Sequence, residues 1–285
     1  MSEMRTQDEL VLVGEGRTAE ILSWDDGRVV RLFREGSSRT YALRELDVAC
    51  AVHEAGIPSP AVYRADSEDG LVKIGNRFGV VMDRIEGSTM LRVLLVKPWQ
   101  LVRFARACAR LHRAVHATRA IDLPSQRERL HRVIDRIAED IGNEIAGRLH
   151  AAVNALPDGD TVCHGDFHPD NILLGMQGPV IIDWGPATSG NPACDVAWTV
   201  HLFRYGGSPP GMSLWQRLEL TGFRRLFLSV YLRSYLKDST MSRSDVEQWA
   251  FPIAALRLGD GIPEERGFLL RMIREHFASM PDRSS

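Results

Sequence analysis

The sequence lacks the features that mark extracellular and membrane proteins. Only 4 of its 285 residues are cysteine, and no two of them form a C-x-x-C pair. Each cysteine lies among apolar neighbours, which predicts buried free thiols in a reducing compartment. No apolar run approaches the roughly 18 residues that a membrane span needs, and the N-terminal segment has no apolar core of the kind found in signal peptides. We therefore expect a cytoplasmic protein with no membrane partner.

The sequence also lacks an excess of charge of either sign. It contains 35 Lys and Arg against 37 Asp and Glu, so its formal net charge is -2. This balance gives no global basic field, and no nucleic-acid partner is expected. Apolar residues make up 44% and charged residues 25% of the chain, which is typical of a globular protein. A chain of this length can form one large domain or two lobes with separate cores.

The first third of the chain is predicted to consist mainly of β-strands. Short apolar runs with β-branched residues predict strands at 10–13, 19–23, 29–33, 61–64 and 78–83. The Asp25-Asp26-Gly27 turn favours a hairpin, so the chain is expected to open as an antiparallel meander of three strands. Apolar spacing predicts a helix over 40–55, which Gly56 would end.

After Gly87 the apolar residues recur at helical spacing. These stripes predict helices at 101–115, 130–145, 215–236, 245–256 and 264–277, with Gly142 as a break in the second. One island of strands and loops lies among them, at 162–183. The predicted fold class is α+β, with a small N-terminal antiparallel β lobe that carries one helix, residues 1–86, and a larger, mainly helical C-terminal lobe, residues 87–285.

Two clusters of polar residues lie beside apolar runs within this island. The chain reads HGDFHPDN from His164 to Asn171 and VIIDWG from Val180 to Gly185. Charged groups next to apolar runs are costly to bury unless they bind something. Phosphoryl transfer requires a carboxylate that orients the attacking hydroxyl and oxygen ligands that hold Mg²⁺ on the phosphates. An Asp, an Asn five positions later and a following Asp-x-Gly segment match the kinase template for that chemistry.

These two motifs resemble the catalytic loop and the metal-binding segment of the aminoglycoside phosphotransferase and choline kinase-like family, whose fold is protein-kinase-like and two-lobed. The resemblance implies that Asp166 is the catalytic base and that Asn171 and Asp183 bind Mg²⁺. It implies ATP or GTP as the co-substrate. The residues that it assigns to the support of the loop are His164, His168 and Asp195.

The first lobe contains residues that fit a nucleotide site. Gly14 and Gly16 lie between two strands, so they fit a glycine-rich hairpin over phosphates better than a dinucleotide-binding turn, which a helix must follow. Kinases place a cation on the third strand and pair it with a glutamate of the helix, and the matching residues here are Arg31 and Glu45. A plain turn and a solvated surface ion pair are the alternatives without a function.

Arg31 stands where the family commonly has lysine. Arginine keeps the charge but is bulkier and forked, so the substitution is either tolerated or weakens nucleotide binding. The segment from Val80 to Gly87 resembles the family's adenine-binding hinge. Its expected contact residues are Met82, Asp83 and Ile85.

Two other functions are compatible with the sequence. The spacing of His164, Asp166 and His168 suits a metal-dependent phosphoesterase, although the other histidines form no second cluster. A non-catalytic nucleotide-binding protein of kinase fold would explain Arg31 and Ala19, which occupies the place of a third glycine. The presence of Asp166, Asn171 and Asp183 argues against that alternative.

The acceptor is expected to bind to the helical part of the chain. Acidic residues before the last predicted helix, Asp260, Glu264 and Glu265, would match the amines of cationic aminoglycosides, as in family members that take them. The same residues also suit the capping of a helix N-terminus. The resemblance implies a small hydroxylated acceptor, and the family's acceptors include aminoglycosides, other antibiotics such as macrolides, choline, sugars and homoserine. A monomer or homodimer is expected.

Overall fold

The computed structural model describes residues 10–120, 122–207 and 211–278. These residues form two compact units. The first contains the described residues up to Val96 together with Pro169–Pro186, and the second contains Lys97–His168 together with the described residues from Ala187 onward. Each unit has its own antiparallel strands and its own buried apolar side chains.

An antiparallel sheet of six strands is the base of the first unit. Its strands are β1 Leu12–Glu15, β2 Ala19–Ser23, β3 Arg28–Phe33, β4 Val62–Tyr63, β5 Val72–Ile74 and β6 Arg77–Asp83. They are hydrogen-bonded in the order β1-β2-β3-β6-β4, and β5 also pairs with β6. The predicted meander is confirmed, because β2 pairs with both β1 and β3. Strand β5 was not predicted, because it has only 3 residues and its central Lys73 interrupts any apolar run.

Helix α1, Arg39–Glu54, packs on one face of this sheet. The Ser38 hydroxyl caps its N-terminus, and Gly56 follows it with a φ of +76°, the left-handed conformation that commonly ends helices. On its buried side, Leu46 lies in one cluster with Phe33 of the sheet. Alternate strand residues point to the other face, where they form a second cluster of Leu22, Val30, Leu32, Ile74 and Val81.

A smaller sheet completes the first unit. It contains β7 Gly87–Thr89, β9 Ile172–Gly175 and β10 Gly178–Ile181, in the order β10-β9-β7. Helix α2, Met90–Val96, follows β7 directly. The sequence predicts a lobe boundary after residue 86, whereas this unit extends to Val96 and takes in Pro169–Pro186. The reason is the pairing of β7 with β9, which joins two segments far apart in the chain.

The second unit consists mainly of helices around a two-stranded ladder. The ladder pairs β8 Thr161–Cys163 with β11 Thr188–Gly190. The helices are α3 Leu101–His116, α4 Gln126–Ile141, α5 Asn143–Ala155, α6 Pro192–Tyr205, α7 Leu214–Lys237, α8 Arg243–Glu247, α9 Ala250–Gly259 and α10 Pro263–Ala278. The predicted break at Gly142 is confirmed. The predicted helix over 245–256 is instead divided between α8 and α9, a division that one continuous apolar stripe does not reveal.

Helix α6 has no counterpart among the predicted helices. Every residue from Ala193 to His201 is buried, so the segment has no polar face and no amphipathic period. Asn191 caps its N-terminus by accepting the Ala193 N–H at 2.8 Å, and Pro192 occupies the first helical position. The predicted α+β class, with antiparallel strands followed by a mainly helical part, is confirmed.

The predicted free cysteines and the lack of a predicted membrane span can both be compared with the structure. All four cysteines are free, and three of them are buried, while Cys50 is partly exposed. Burial raises the pKa of the Cys108 thiol. In the described part of the chain, no helix has both the length and the apolar character that a bilayer crossing requires.

Candidate active site

The loop that follows β8 carries Asp166 in the second unit. A buried aspartate in the first turn of α6 holds its backbone, because the Asp195 carboxylate accepts the N–H of His164 at 2.6 Å and the N–H of Gly165 at 2.8 Å. Gly165 has a φ of +76°, which glycine adopts without steric cost. The Asp166 N–H donates to His164 Nδ1 at 3.2 Å. These contacts fix the loop backbone around Asp166.

The Asp166 carboxylate interacts with two side chains of the same unit. The Trp198 indole donates its Nε1–H to Oδ1 at 2.9 Å, and His168 Nε2 lies 3.6 Å from Oδ2. Burial raises the pKa of Asp166, but the interactions with His168 and Trp198 outweigh it, so this pKa lies well below its usual range. Asp166 is therefore ionised at neutral pH, and Trp198 restricts its orientation.

A network of buried polar side chains supports Asp195. His112 and His116, one turn apart on α3, place their Nε2 atoms 3.0 and 3.1 Å from Asp195 Oδ2. Their Nδ1 atoms lie 2.7 Å from the Tyr231 hydroxyl and 2.6 Å from the Tyr235 hydroxyl, respectively. Because an ionised carboxylate only accepts hydrogen bonds, each imidazole donates its Nε2–H to Asp195 and accepts the O–H of a tyrosine.

The ionisation of this network follows from its burial. Burial and the neighbouring His116 lower the pKa of His112 to about 3, against the attraction of Asp195. Burial raises the pKa of Asp195, but the two histidines outweigh it and leave that pKa well below its usual range. The three residues bring possible metal-ligand atoms within 4.8 Å of one another. Tyrosine hydroxyls and loop amides already satisfy those atoms, so the group is a hydrogen-bonded support and not a metal site.

The two predicted metal ligands lie in neighbouring segments of the first unit. Asn171 immediately precedes β9, and Asp183 lies shortly after β10, the strand that pairs with β9. The Ile182 N–H donates to the Asn171 carbonyl at 3.0 Å, which sets the two segments side by side. Asp183 has a φ of +63°, which is uncommon for a residue other than glycine and recurs at functional sites.

A half-buried arginine connects Asp183 to helix α1. Arg31 places Nη2 2.9 Å from Asp183 Oδ1 and Nε 3.3 Å from Glu45 Oε2. The contact of Nε with Glu45 is an ion pair but not a hydrogen bond, and Arg31 Nε has no hydrogen-bond partner. The Tyr41 hydroxyl donates to the other carboxylate oxygen of Glu45. Burial lowers the pKa of Arg31, but the charges of Asp183 and Glu45 outweigh it and raise that pKa overall.

The residues that follow Asp183 are fitted closely to Glu45. A Cβ at position 185 would collide with the Glu45 carboxylate, which would then have to move from its place beside Arg31. The Trp184 indole is buried and donates its N–H to the Ile181 carbonyl at 2.9 Å. The Asp-Trp-Gly segment thus anchors Asp183 and leaves room for the glutamate that pairs with Arg31.

Of the two predicted phosphate-loop glycines, Gly14 lies in β1 and Gly16 lies in the turn between β1 and β2. The Gly16 N–H donates to the Ala19 carbonyl at 2.9 Å and closes the turn. Arg31 Nη2 donates to the Thr18 hydroxyl at 3.3 Å, so the turn lies beside Arg31. A Cβ at Gly14 or Gly16 would meet only ordinary contacts, and neither residue has a left-handed φ. The local backbone therefore does not require glycine at either position.

The predicted hinge begins in the last two residues of β6, Met82 and Asp83. Met82 and Asp83 are half-buried, and Ile85 beyond them is half-buried as well. The Asp83 N–H donates to the Ala61 carbonyl at 2.9 Å, and its carboxylate accepts the Tyr63 hydroxyl at 2.7 Å. These bonds tie the hinge to the segment around β4.

Two of the three acidic residues predicted to bind the acceptor contact an arginine of α9. Arg257 donates to both Glu265 oxygens, at 2.6 and 2.8 Å, and its Nη1 lies 3.3 Å from Asp260 Oδ2. The third, Glu264, is exposed in the first turn of α10. The Arg257 guanidinium also lies 5.8 Å from the centre of the Trp198 ring. Two carboxylates therefore share one guanidinium near the tryptophan that bonds Asp166.

Several residues of these clusters are not among the predicted site residues. They are Tyr41, His112, His116, Trp198, Tyr231 and Tyr235. The four-residue spacing of His112 and His116 puts both on one face of a helix. Trp198 follows Asp195 by three residues, which places both on one face only once α6 is recognised as a helix. No local signal pairs the tyrosines of α7 with the histidines of α3.

The chain is similar to known phosphotransferases. A sequence model of the phosphotransferase enzyme family, APH, matches residues 12–232. A thermostable mutant of aminoglycoside phosphotransferase APH(4)-Ia in its apo form has a TM-score of 0.62 at 16% identity, with 95% of each chain covered. The amicoumacin kinase hAmiN, in complex with AMP-PNP, Ca²⁺ and Ami, has a TM-score of 0.59 at 15% identity, with 97% of this chain and 90% of that chain covered.

A third solved structure, the streptomycin–ATP–APH(2'')-IIa ternary complex, has a TM-score of 0.56 at 14% identity, with 95% of this chain and 91% of that chain covered. At such identities these likenesses show a shared fold. No curated protein matches the sequence.

Proposed function

The chain belongs to the phosphotransferase enzyme family, and from that premise we propose that it transfers the γ-phosphoryl group of a magnesium-bound nucleotide to a hydroxyl group of a small molecule. Membership makes it a phosphotransferase that acts on alcohol groups. The nucleotide, the metal, the acceptor and the role of each residue are the parts that we propose.

One observation carries this proposal, namely the ion pair of Arg31 with Asp183 at 2.9 Å in the same unit as Asn171. A half-buried guanidinium beside carboxylate and amide oxygens offers what a metal-bound triphosphate requires, a cation for the phosphates and oxygens for the ion. In this proposal Arg31 binds the phosphates and Glu45 orients the Arg31 guanidinium. The planar fork of arginine can bind two phosphate oxygens at once, which supports its use in place of lysine.

Asn171 and Asp183 are the residues that would hold Mg²⁺. Amide and carboxylate oxygens are hard ligands of the kind that Mg²⁺ prefers, so the donor set fits the ion. When bound, the ion supplies positive charge against the negative charge of the transferred phosphoryl group.

Asp166 is proposed to act on the acceptor hydroxyl. Its carboxylate is ionised, and the Trp198 N–H holds Oδ1 at 2.9 Å. A carboxylate with a lowered pKa is a weak base towards an alcohol. Asp166 therefore chiefly orients the hydroxyl, and it accepts the proton late, once the bond to phosphorus has begun to form. His164, His168 and Asp195 hold the loop that presents it.

ATP is the donor that we propose, with GTP as the alternative to be tested. The similar structures of APH(2'')-IIa and hAmiN contain ATP and AMP-PNP, respectively. Gly14 and Gly16 support a nucleotide site, because glycine permits the close approach of a ligand and the turn itself does not require it. We assign the adenine to the hinge residues Met82, Asp83 and Ile85.

The acceptor that we propose is a small hydroxylated molecule, with aminoglycosides and other antibiotics as the first class to test. APH(4)-Ia and APH(2'')-IIa have been solved with hygromycin B and streptomycin. The carboxylates of Asp260, Glu264 and Glu265 outnumber the Arg257 guanidinium, so this cluster would attract a cationic acceptor.

The experiment that tests the donor site is thermal unfolding with and without Mg-ATP and Mg-GTP. A nucleotide at about 100 times its Kd should stabilise the protein by about 2.7 kcal/mol. We expect a magnesium-dependent shift for the wild type and none for Asp183→Ala. Asp170→Asn is the matched control, since Asp170 is an aspartate of the same unit that bonds Thr89 at 2.7 Å; it should retain the shift.

The transfer step is tested separately, by following nucleotide consumption with a panel of hydroxylated acceptors. Asp166→Asn should bind Mg-nucleotide normally but lose transfer. A wild type that shows no shift with either nucleotide at saturating concentration would contradict the kinase function. A shift without transfer to any acceptor would favour the non-catalytic nucleotide-binding alternative.

The phosphoesterase alternative has less support. His164 is fully buried and its Nδ1 accepts the Asp166 N–H, so this ring serves the loop backbone. Within residues 10–120, 122–207 and 211–278, no group of possible metal ligands includes His164, Asp166 and His168. Metal-dependent hydrolysis of a phosphoester without nucleotide would be needed to revive it.

A further inference from the structure

Two histidines meet on the adjacent helices α4 and α5. His131 and His150 bring their Nδ1 atoms within 2.7 Å of each other, and their rings stack with centroids 4.9 Å apart. Both side chains are half-buried, so solvent reaches the pair. None of the residues assigned above to the nucleotide, the metal or the acceptor takes part.

The outer nitrogen of each ring faces an oxygen of the opposite helix. His131 Nε2 lies 3.0 Å from Asn154 Oδ1, and His150 Nε2 lies 3.0 Å from Asp135 Oδ1. Asn154 follows His150 by four residues, and Asp135 follows His131 by four, so each helix contributes one histidine and one oxygen acceptor on the same face. With both Nε2 atoms donating to these oxygens, a lone pair remains on each Nδ1.

Two nitrogen lone pairs cannot face each other at 2.7 Å without a cation between them. A proton can occupy that position, and so can a metal ion. The buried pair of His112 and His116 is different, because tyrosine hydroxyls donate to both of its Nδ1 atoms. The pair on α4 and α5 has no such donor at Nδ1, only the other histidine.

We propose that His131 and His150 bind one divalent transition-metal ion through their Nδ1 atoms, with water in the remaining positions. Imidazole nitrogen suits Zn²⁺, Cu²⁺ and Ni²⁺, whereas Mg²⁺ and Ca²⁺ prefer oxygen. Metal-bound histidines almost always donate the other ring N–H to a carboxylate, a carbonyl or water, and Asp135 and Asn154 already occupy those places here.

The geometry requires only a small adjustment. Zn–N bonds of about 2.0–2.1 Å at a tetrahedral angle separate two nitrogens by about 3.3 Å. The two Nδ1 atoms, now 2.7 Å apart, would therefore move apart by about 0.6 Å on binding. The bound ion would link α4 to α5 and add a cross-link to the second unit.

The test is isothermal titration calorimetry of the full chain with ZnCl2 and with CuCl2, in a buffer that does not bind metals. The wild type should bind one equivalent at micromolar concentration, and the Cu²⁺ complex should show electron paramagnetic coupling to two nitrogens. His131→Gln and His150→Gln should each abolish this binding. Asp135→Asn should weaken it by about 10- to 100-fold, because it removes the carboxylate that orients His150.

His53→Gln is the matched control, since His53 is an exposed histidine on α1, outside the pair. It should bind the ion as the wild type does. Three results would each overturn the proposal. They are no binding of Zn²⁺ or Cu²⁺ at millimolar concentration, unchanged binding in the His131→Gln/His150→Gln double variant, and an equal loss of binding in His53→Gln. Circular dichroism of every variant separates loss of the site from loss of the fold.

Discussion

At the scale of single residues, Trp198 is the side chain that orients the Asp166 carboxylate. Its indole N–H bonds Oδ1 at 2.9 Å, while the ring itself is buried, with 4% of its surface exposed. The Arg257 guanidinium lies 5.8 Å from the ring centre, within cation–π range. Because the ring packs independently of its N–H, a substitution that keeps a ring can separate orientation from packing.

For Trp198→Phe we expect kcat to fall by about 10- to 100-fold, since a hydrogen bond to a charged group is worth about 1.5–3 kcal/mol. The KM for nucleotide should not change, because no proposed nucleotide contact is lost. Removal of the donor also raises the pKa of Asp166. The acidic limb of the rate–pH profile should therefore move to higher pH, which steady-state kinetics at several pH values would measure.

Trp249→Phe is the control for this prediction. Trp249 is equally buried, with 3% of its surface exposed, whereas the indole that bonds Asp166 is that of Trp198. Its replacement should leave the acidic limb in place. If Trp198→Phe retained wild-type kcat and an unshifted profile, Trp198 would be a packing residue only.

At the scale of secondary-structure elements, a single glycine separates α4 from α5. Gly142 has φ 91° and ψ 143°, close to a region that is essentially restricted to glycine. Its N–H donates to the Ala138 carbonyl at 2.8 Å, and its own carbonyl accepts the Ala146 N–H at 3.0 Å. One residue thus ends the first helix and begins the second, and this sets the chain reversal that brings His131 opposite His150.

Gly142→Ala should lower the free energy of unfolding by about 1–3 kcal/mol, the usual cost of holding a residue with a Cβ in such a conformation. Gly147→Ala is the matched control within α5, where a Cβ would meet no atom within 4 Å. That change should instead stabilise the helix by about 0.5–1 kcal/mol. Urea unfolding with an unchanged m-value would measure both, and effects of the same sign would contradict the argument.

At the scale of the whole molecule, buried histidines make stability depend on pH. Burial chiefly lowers the pKa of His112 to about 3 and that of His201 to about 4, from an ordinary value of 6.5. Between 6.5 and those values, the unfolded chain binds protons that the folded chain does not. The free energy of unfolding must therefore fall as the pH is lowered through this window. Asp195 adds a further loss only below its ordinary pKa of 3.8.

His112→Gln should test this origin of the acid sensitivity. The variant loses a hydrogen-bonded ring and should be less stable at neutral pH. It also loses one titrating group, so its stability should decline less steeply between about pH 6.5 and pH 4, by up to about 1.4 kcal/mol per pH unit. Urea unfolding at a series of pH values would show this, and a slope equal to that of the wild type would exclude His112 as a source.

The features that depend on local pattern could be predicted from the amino-acid sequence alone. Short apolar runs and the Asp25-Asp26-Gly27 turn predicted the meander of β1, β2 and β3, and Gly56 and Gly142 marked true helix ends. The two motifs between His164 and Gly185 led to the family that the comparisons support. Backbone preferences, turn chemistry and the one-face burial of amphipathic helices act over a few residues, so the sequence records them directly.

The folded structure was needed to establish which residues far apart in the chain meet. It paired Trp198 with Asp166, the tyrosines of α7 with the histidines of α3, and Arg257 with the acidic residues before and within α10. It also joined Pro169–Pro186 to the first unit through the pairing of β9 with β7. Such contacts depend on how whole elements pack, and helix α6, buried on every side, has no amphipathic period from which its partners could be predicted.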